Sequence, residues 1–393
     1  MKFDYIIVGA GFAGIVIAER IASSSNKKVL IIEKRNHIGG NCYDRYDNDG
    51  ILVHPYGPHI FRTSTSRVWQ YLSQFTEWLP YEHKVLGVFD GKKAPIPFNL
   101  NTLHEMYPSE LAKKLERILV ESFGYGAKIP ILILKEGENK DLKMLSQYIY
   151  EKVYLNYTIK QWGMKPEELD PAVTGQVPVY ISKDDRYFQD TYQGMPKKGY
   201  TDMFDQMLLS PNIKIMLNTD YREIIKLDES KVFCFGQEFK GKFIFTGKID
   251  ELFDYQFGDL PYRSLRFEFE NFSKVYHQNA AVENYPNNYD FTRITEFKYL
   301  TGQKHHSTTI AREYPQPYER DTPGKDIPYY PIPREENRTL YERYLKTSES
   351  YENIQLIGRL AEYRYYNMAD VVEKALDVFE KHIARKQTHQ TQG

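Results

Sequence analysis

A glycine-rich turn near the N-terminus, GAGFAG at residues 9–14, constrains the fold of this chain more than any other stretch. The apolar run at 5–8 predicts a strand buried on both faces, and the apolar residues after the turn recur at helical spacing. Gly9, Gly11 and Gly14 match G-x-G-x-x-G, whose glycines allow the tight turn, the approach of a pyrophosphate and close helix–strand packing. The stretch therefore predicts a Rossmann-like dinucleotide site at a helix N-terminus, where free amides favour an anion.

A carboxylate follows the turn at the spacing of a ribose ligand. The second apolar run, 29–32, ends at Glu33, which lies about 20 residues beyond the glycines. A carboxylate there can accept hydrogen bonds from an adenosine ribose, and its charge disfavours NADP at this site. The alternative is a solvated glutamate at the end of a strand.

Composition excludes several classes of function. The chain has 393 residues, which suggests two or three domains, and its 52 basic and 53 acidic residues leave no basic field for nucleic acid or an anionic membrane. Its two cysteines form neither a disulfide framework nor a metal-ligand set, and no apolar stretch has the roughly 20 residues needed to span a bilayer. We expect a cytoplasmic protein with no metal, no nucleic-acid partner and no membrane insertion.

The order of the patterns predicts an α/β fold built around an interrupted domain. Apolar strands followed by glycine recur late, at 243–247 and 354–358, whereas helical periodicity occupies about 99 to 165. Alternating, aromatic-rich patterns at 176–195 and 262–315 indicate strands, and residues 51–98 are predicted to be extended and rich in turns. We expect a discontinuous Rossmann-like domain with an inserted helical lobe and an antiparallel β-sheet domain. The predicted boundaries are 1–50, 196–261 and 340–393 for the nucleotide domain, 99–175 for the lobe, and 51–98, 176–195 and 262–339 for the sheet domain.

Motifs in order along nearly the whole chain together resemble the bacterial UDP-galactopyranose mutase family. They are GAGFAG, IIEKRNHIGGNCYD, YGPHIFRT, IPFNLNT, YTIKQWG, RYFQDTYQGMPKKGY, YRSLRFE, FTRITE, REYP, PYYPI and GRLAEYRYYNM. The resemblance implies FAD as cofactor, active in its reduced form, an external reductant such as NAD(P)H, and a homodimer. It also implies an isomerase that makes galactofuranose for polysaccharide biosynthesis. Such an enzyme interconverts pyranose and furanose forms of a nucleotide-sugar through a reduced-flavin N5–sugar C1 adduct, with no net transfer of electrons.

The resemblance also implies the site residues. Besides the glycines and Glu33, the implied cofactor contacts are Ala13, Lys34, Gly40, Asn41, His59, Ile60, Arg359, Tyr366 and Met368. The implied substrate contacts are Tyr157, Thr158, Trp162, Gln176, Tyr187, Asn284, Arg293, Tyr330, Tyr365 and Asn367. Arg293 and Arg62 are the implied catalytic residues, and His59 is expected to contact the cofactor rather than to act as a base.

Three positions depart from the family pattern. Arg62 stands where histidine is usual, Gln176 where a mobile-loop arginine clamps the diphosphate, and Asn367 where aspartate is usual. Lys183 or Arg186 could supply the missing charge. The substrate therefore stays open between UDP-galactose, UDP-N-acetylgalactosamine, and a deoxy sugar or heptose on another nucleotide. Alternatives of another class are an amine-oxidase-like oxidoreductase and a non-catalytic nucleotide-sugar binder.

Overall fold

The structure, a computed structural model, describes residues 2–169, 177–332 and 334–384. The strands in chain order are β1 Tyr5–Val8, β2 Val29–Ile32, β3 Arg45–Tyr46, β4 Leu52–Val53, β5 Phe61–Thr63, β6 Trp78–Pro80, β7 Val85–Phe89, β8 Lys92–Ile96, β9 Lys128–Ile129, β10 Val179–Tyr180, β11 Tyr192–Pro196, β12 Ile213–Met216, β13 Ile225–Asp228, β14 Lys231–Cys234, β15 Gln237–Glu238, β16 Lys242–Phe245, β17 Tyr262–Phe272, β18 Val282–Asn284, β19 Arg293–Glu296, β20 Thr308–Pro317, β21 Tyr330–Pro331 and β22 Ile354–Leu356.

The helices are numbered in chain order. They are α1 Phe12–Ser25, α2 Ser66–Leu72, α3 Leu100–Met106, α4 Ser109–Phe123, α5 Ile131–Glu136, α6 Lys140–Ile149, α7 Asn156–Trp162, α8 Tyr200–Met207, α9 Ile249–Leu252, α10 Phe297–Thr301, α11 Glu335–Ser348 and α12 Met368–Val378. A π-helical segment, Tyr150–Leu155, joins α6 to α7, and another, Phe379–Ala384, follows α12. None of the helices in these described segments is long and apolar enough to cross a membrane.

A five-stranded parallel sheet, ordered β12-β2-β1-β16-β22, forms the half of the structure that the sequence predicts to bind a nucleotide. Its central strands are in register, with Ile7 opposite both Ile31 and Ile244. Successive side chains point to opposite faces, so Ile7 and Ile31 join one core while Ile6 and Leu30 join the other. Burial on both faces explains the unbroken apolar runs. The sheet takes strands from all three chain segments predicted for this domain.

A seven-stranded sheet, ordered β21-β17-β20-β19-β18-β7-β8, forms the second half. All its pairs are antiparallel except β7 with β18. Helices α3–α7 lie between β8 and β10 in the chain and form the lobe. The α/β fold class predicted from the sequence is confirmed, whereas the domain boundaries remain predictions.

One local prediction is wrong, because the segment 51–98 contains helix α2 as well as extended structure. The helix buries Val68, Tyr71 and Leu72, which are spaced three and four residues apart and so share one face. This helical period is present in the sequence, but it spans only two turns between turn-rich stretches.

Candidate functional site

A cavity of about 590 Å³ lies at the carboxyl ends of the parallel strands. Gly9, Glu33, Thr246 and Gly358, which follow β1, β2, β16 and β22, line it, and the start of α1 forms one wall. Ligands of open α/β sheets bind at this edge, and the volume falls in the range of small-molecule sites, about 300–1,000 Å³. This large cavity is the candidate cofactor site.

The glycine turn has the geometry that the sequence predicts. Gly9 has φ of +99°, and a Cβ there would lie 2.1 Å from Oγ1 of Thr246. A Cβ on Gly14 would lie 2.0 Å from the Gly9 carbonyl oxygen, so only glycine permits this packing of α1 on β1. By contrast, a Cβ on Gly11 would meet nothing closer than 3.9 Å and would project towards Gly40, across the cavity wall.

Glu33 ties the glycine turn to the end of β2. One carboxylate oxygen accepts from the amide of Ala10 at 2.8 Å, and the other accepts from the amide of Arg35 at 2.9 Å. The side chain is buried yet lines the large cavity. Because each oxygen has a second lone pair, Glu33 can hold the turn and still accept from a ribose hydroxyl.

Arg35 is a cavity residue that the sequence reasoning missed. Its Nη2 donates to Oδ1 of Asn41 at 2.9 Å, and its guanidinium lies 4.3 Å from the ring centre of Tyr56. Its Nη1 is buried and has no hydrogen-bond partner in the structure. A buried guanidinium donor without an acceptor is costly unless a ligand supplies one. The only sequence signal was its place in the motif IIEKRNHIGGNCYD.

These features fit a flavin dinucleotide. The open side of Gly11 admits a pyrophosphate. The first intrahelical bond of α1 runs from the amide of Ile15 to the carbonyl oxygen of Gly11, so the amides of residues 12–14 have no partner within the helix and can bind an anion. Arg35 adds an unpaired donor. Most of the sequence-predicted cofactor residues line this cavity, namely Gly9, Gly11, Ala13, Glu33, Lys34, Gly40, Asn41, His59, Arg359 and Met368. Gly14, Ile60 and Tyr366 do not line it.

His59 is held neutral at the cavity wall. Its Nδ1 bonds to the carbonyl oxygen of Gly57 at 2.8 Å, and its amide donates to His54. Burial lowers the pKa of His59 to about 3. A neutral imidazole with such a weak affinity for protons suits a contact residue and not a general base near neutral pH.

A second cavity, of about 110 Å³, lies where the helical lobe meets the seven-stranded sheet. It is lined by Tyr157, Thr158 and Trp162 of α7, by Tyr187 from the β10–β11 connection, and by Asn284 at the end of β18. All five were predicted from the resemblance to contact substrate. Oδ1 of Asn284 is buried without a partner, which leaves an acceptor for a ligand in this small cavity.

An aromatic cluster stands between the two cavities. The ring of Tyr330 lies 5.7 Å from that of Trp162 and 5.8 Å from that of Tyr365. The guanidinium of Arg359, which lines the large cavity, lies 5.5 Å from the ring centre of Tyr330 and 5.4 Å from that of Tyr365. Arg359 is fixed by donating to the carbonyl oxygens of Tyr329 and Tyr366. Cofactor and substrate residues therefore form one continuous region.

Arg293 lies beside this region on β19. Its Nε and Nη2 both donate to one carboxylate oxygen of Glu313, at 2.8 and 2.6 Å. Burial opposes the charge of Arg293, but the Glu313 carboxylate outweighs it and raises the pKa of the guanidinium. Arg293 is therefore a permanently charged group next to this region, although it lines neither cavity, and the same is true of Tyr330 and Tyr365.

The structure describes two of the three unusual positions, Arg62 and Asn367. Nη1 of Arg62 pairs with Asp190 at 2.8 Å, and its guanidinium lies over the ring of Phe188, outside both cavity linings. Asn367 lines the large cavity and caps α12, whereas Gln176 lies outside the described residues. Two residues were expected to be able to supply the charge that is missing at Gln176, and both are already paired. Lys183 pairs with Glu116, and Arg186 pairs with Asp184 and Glu82.

Comparison with known proteins agrees with this arrangement. A family model described as UDP-galactopyranose mutase matches residues 152–365, and one described as an NAD(P)-binding Rossmann-like domain matches residues 7–75. A probable UDP-galactopyranose mutase of Klebsiella pneumoniae is 36% identical over 375 residues, covering 95% of this chain and 93% of that protein. A dTDP-fucopyranose mutase of Escherichia coli is 34% identical over 381 residues, covering 96% and 98%. A crystal structure of reduced UDP-galactopyranose mutase matches with a TM-score of 0.70 at 16% identity, covering 98% and 94%.

The parallel sheet and the glycine turn define a Rossmann-type protein, and the large cavity fits a dinucleotide cofactor. The chain's curated relatives at this level of identity are mutases, which are isomerases. Within that class, the chain belongs to the UDP-galactopyranose mutase family.

Proposed function

We propose that this protein interconverts the pyranose and furanose forms of a sugar carried on a nucleoside diphosphate, with FAD as its cofactor in the reduced state. The observation that carries the proposal is the joining of the two cavities through Trp162, Tyr330, Tyr365 and Arg359. One cavity has the features of a dinucleotide site, and the other offers aromatic rings and the unpaired acceptor of Asn284. A nucleotide-sugar held in the small cavity would have its sugar directed towards the large one.

The cofactor would rest on the groups that line the large cavity. Gly11 and the amides of α1 would face the pyrophosphate, Glu33 would accept from the ribose, and Arg35 would complete its hydrogen bonding on the ligand. When bound and reduced, a flavin supplies a nucleophilic nitrogen for the anomeric carbon and recovers its electrons within each cycle. No serine–histidine or metal chemistry is needed for such a reaction.

The residues of this chain would hold the substrate and stabilise its leaving group. Tyr157, Thr158 and Trp162 would hold the nucleoside against Asn284. Arg293 would balance the negative charge that grows on the diphosphate, and the hydroxyls of Tyr330 and Tyr365 would donate to it without adding charge.

The substrate is the open part of the proposal, and the relatives favour two candidates. One curated relative is a UDP-galactopyranose mutase and another is a dTDP-fucopyranose mutase, at nearly equal identity. A deoxy sugar on another nucleotide is therefore a second candidate beside UDP-galactose.

The test is an anaerobic panel of UDP-galactose, UDP-N-acetylgalactosamine and dTDP-fucose with dithionite-reduced protein. Ring-form products are separated by chromatography. We expect many turnovers per flavin on one compound, with no net consumption of reductant. Formation of one product equivalent per flavin, or equal activity with oxidised flavin, would overturn the proposal.

Homodimerisation and supply of electrons by NAD(P)H are further proposals. Light scattering tests the first, and bleaching of the flavin by NADH or NADPH tests the second.

A further inference from the structure

Helix α7 presents two different faces to its surroundings. Thr158 and Trp162, four residues apart, line the small cavity. Asn156 and Lys160, also four residues apart, contact the connection 285–292 between β18 and β19, which we call the β18–β19 loop. Residues four apart share a helix face, so one face of α7 forms the cavity wall while the other binds this loop.

The ammonium group of Lys160 holds the loop through hydrogen bonds to three of its main-chain oxygens. Its Nζ donates to the carbonyl oxygens of Tyr285 at 2.5 Å, Tyr289 at 3.0 Å and Phe291 at 3.1 Å. An ammonium group has three donors, so all of them are used here. Three carbonyls converge on one cation, and without it they would face one another unpaired.

The loop is folded around its own aromatic residues. The rings of Tyr285, Tyr289 and Phe291 lie within 5.0 to 5.1 Å of one another. Asn287 adds two further bonds to the lobe, accepting from Asn156 and donating to the Lys152 carbonyl oxygen. The loop is therefore a shaped element fixed to α7, with Lys160 at its centre.

We infer that Lys160 is a positioning residue for the nucleotide cavity, which it keeps in shape by holding the β18–β19 loop against α7. The loop directly follows Asn284, contributes Pro286 to the cavity wall and leads into Arg293. Release of the loop would thus displace the polar and charged groups that face the nucleotide. The inference rests on the proposed function, because it assigns a nucleoside diphosphate to the small cavity.

The charge of Lys160 makes this arrangement sensitive to pH. Burial lowers the pKa of Lys160 to about 8, and Asp290 in the loop acts in the opposite direction. The other charged or titratable groups around it are Arg263 of β17, which donates to the Lys160 carbonyl oxygen, and the Tyr285 hydroxyl, which is bonded to Glu283. The ammonium is therefore lost, and one donor with it, as the pH rises through about 8.

The experiment compares Lys160→Met with Lys160→Arg and with the control Lys152→Met, in flavin-loaded protein. Lys152 lies on the same lobe, but its ammonium only pairs with the exposed Asp90. The dissociation constants of UDP and dTDP are measured by titration calorimetry. We expect Lys160→Met to weaken binding of the preferred diphosphate by about 10-fold or more, on the scale of a lost charged hydrogen bond. Flavin retention and binding by the control should not change.

A pH series distinguishes positioning from general destabilisation. In the wild-type protein, binding should weaken from about pH 7 to about pH 9, and Lys160→Arg, which stays charged, should remove that dependence. If Lys160→Met does not fold, the pH dependence of binding in the wild type and in Lys160→Arg still tests the inference. Equal affinity in Lys160→Met and wild type, or the same pH dependence in Lys160→Arg, would overturn the inference. Failure of the wild type to bind either diphosphate would instead overturn the proposed function, and this inference with it.

Discussion

At the scale of single residues, Glu33 has a structural role in addition to the ribose contact that the sequence predicts. It was predicted as a ribose ligand, and the structure adds that its carboxylate holds the amides of Ala10 and Arg35. We expect Glu33→Ala to weaken cofactor retention by about 1–3 kcal/mol, the cost of a lost charge-assisted hydrogen bond. Flavin absorbance per protein after gel filtration measures it. Glu121→Ala, on an exposed face of α4, is the control, and full occupancy in Glu33→Ala would contradict the role.

Arg293 carries the clearest catalytic prediction at this scale. It is a charged group beside Tyr157 and Tyr330, and Glu313 orients it through Nε and Nη2. Arg293→Met should lower kcat by about 10² to 10³, as removal of one oxyanion donor does elsewhere. Glu313→Gln keeps the hydrogen-bond acceptor and should cost less. Steady-state kinetics on the best panel substrate measures both, and a change in KM alone would contradict a role in the transition state.

At the scale of elements, local patterns were predicted well and contacts between distant segments were not. The turn from β1 to α1 was predictable because Gly9 and Gly14 act within a few residues of each other. Lys160 was missed because its partners, the 285–291 carbonyls, become its neighbours only in the folded chain. Arg35 was missed although its partner Asn41 lies six residues away, because their bond depends on the turn between them. Helix α2 was missed because two turns give too short a period to stand out.

The packing of α1 on β1 can be tested at Gly14. A Cβ there would sit 2.0 Å from the Gly9 carbonyl oxygen, so helix and strand would have to separate. We expect Gly14→Ala to lower the free energy of unfolding by about 1–3 kcal/mol or more and to reduce flavin retention. Gly137→Ala is the matched control, since its nearest neighbour, the Leu134 carbonyl oxygen, lies 3.5 Å away. Urea denaturation of both variants measures the difference, and equal stabilities would exclude the close contact.

Helix α12 begins with a cap that gives Asn367 a structural role apart from any contact with substrate. Oδ1 of Asn367 accepts from the Asp370 amide at 3.0 Å, and Asp370 accepts from the Asn367 amide at 2.9 Å. Asn367→Ala should cost about 0.5–2 kcal/mol, whereas Asn367→Asp keeps the cap and should be neutral or slightly stabilising. Chemical denaturation measures both, with the exposed Asn48→Ala as control. A destabilised Asn367→Asp variant would count against the cap as its main role.

At the scale of the whole molecule, the parallel sheet depends on three separate chain segments. Strands β1 and β2 begin the chain, β12 and β16 come from its middle, and β22 comes from near its end. The sequence could predict this interruption because each strand ends in its own turn. It could not predict how the two halves meet, because their contacts join residues that lie far apart in the chain.

Two buried histidines, His54 and His83, and the partly buried His59 make the stability of the whole molecule dependent on pH. Burial lowers the pKa of His54 to about 4 and those of His59 and His83 to about 3. The unfolded chain binds these protons near pH 6.5, so between that pH and the lowered values it holds more protons than the folded chain. The contribution of these histidines to stability is therefore complete above about pH 6.5 and is lost progressively as the pH decreases.

The expected slope approaches roughly 1.4 kcal/mol per pH unit for each histidine that the unfolded chain protonates and the folded chain does not. Urea denaturation between about pH 7 and pH 5 measures it, above the range where most carboxylates titrate. His83→Gln, which removes one of these groups, should give a shallower slope even where it lowers stability at every pH. His306→Gln, in the exposed connection between α10 and β20, is the control. A slope unchanged in His83→Gln would show that His83 takes up its proton without unfolding, and that water reaches it in the folded protein.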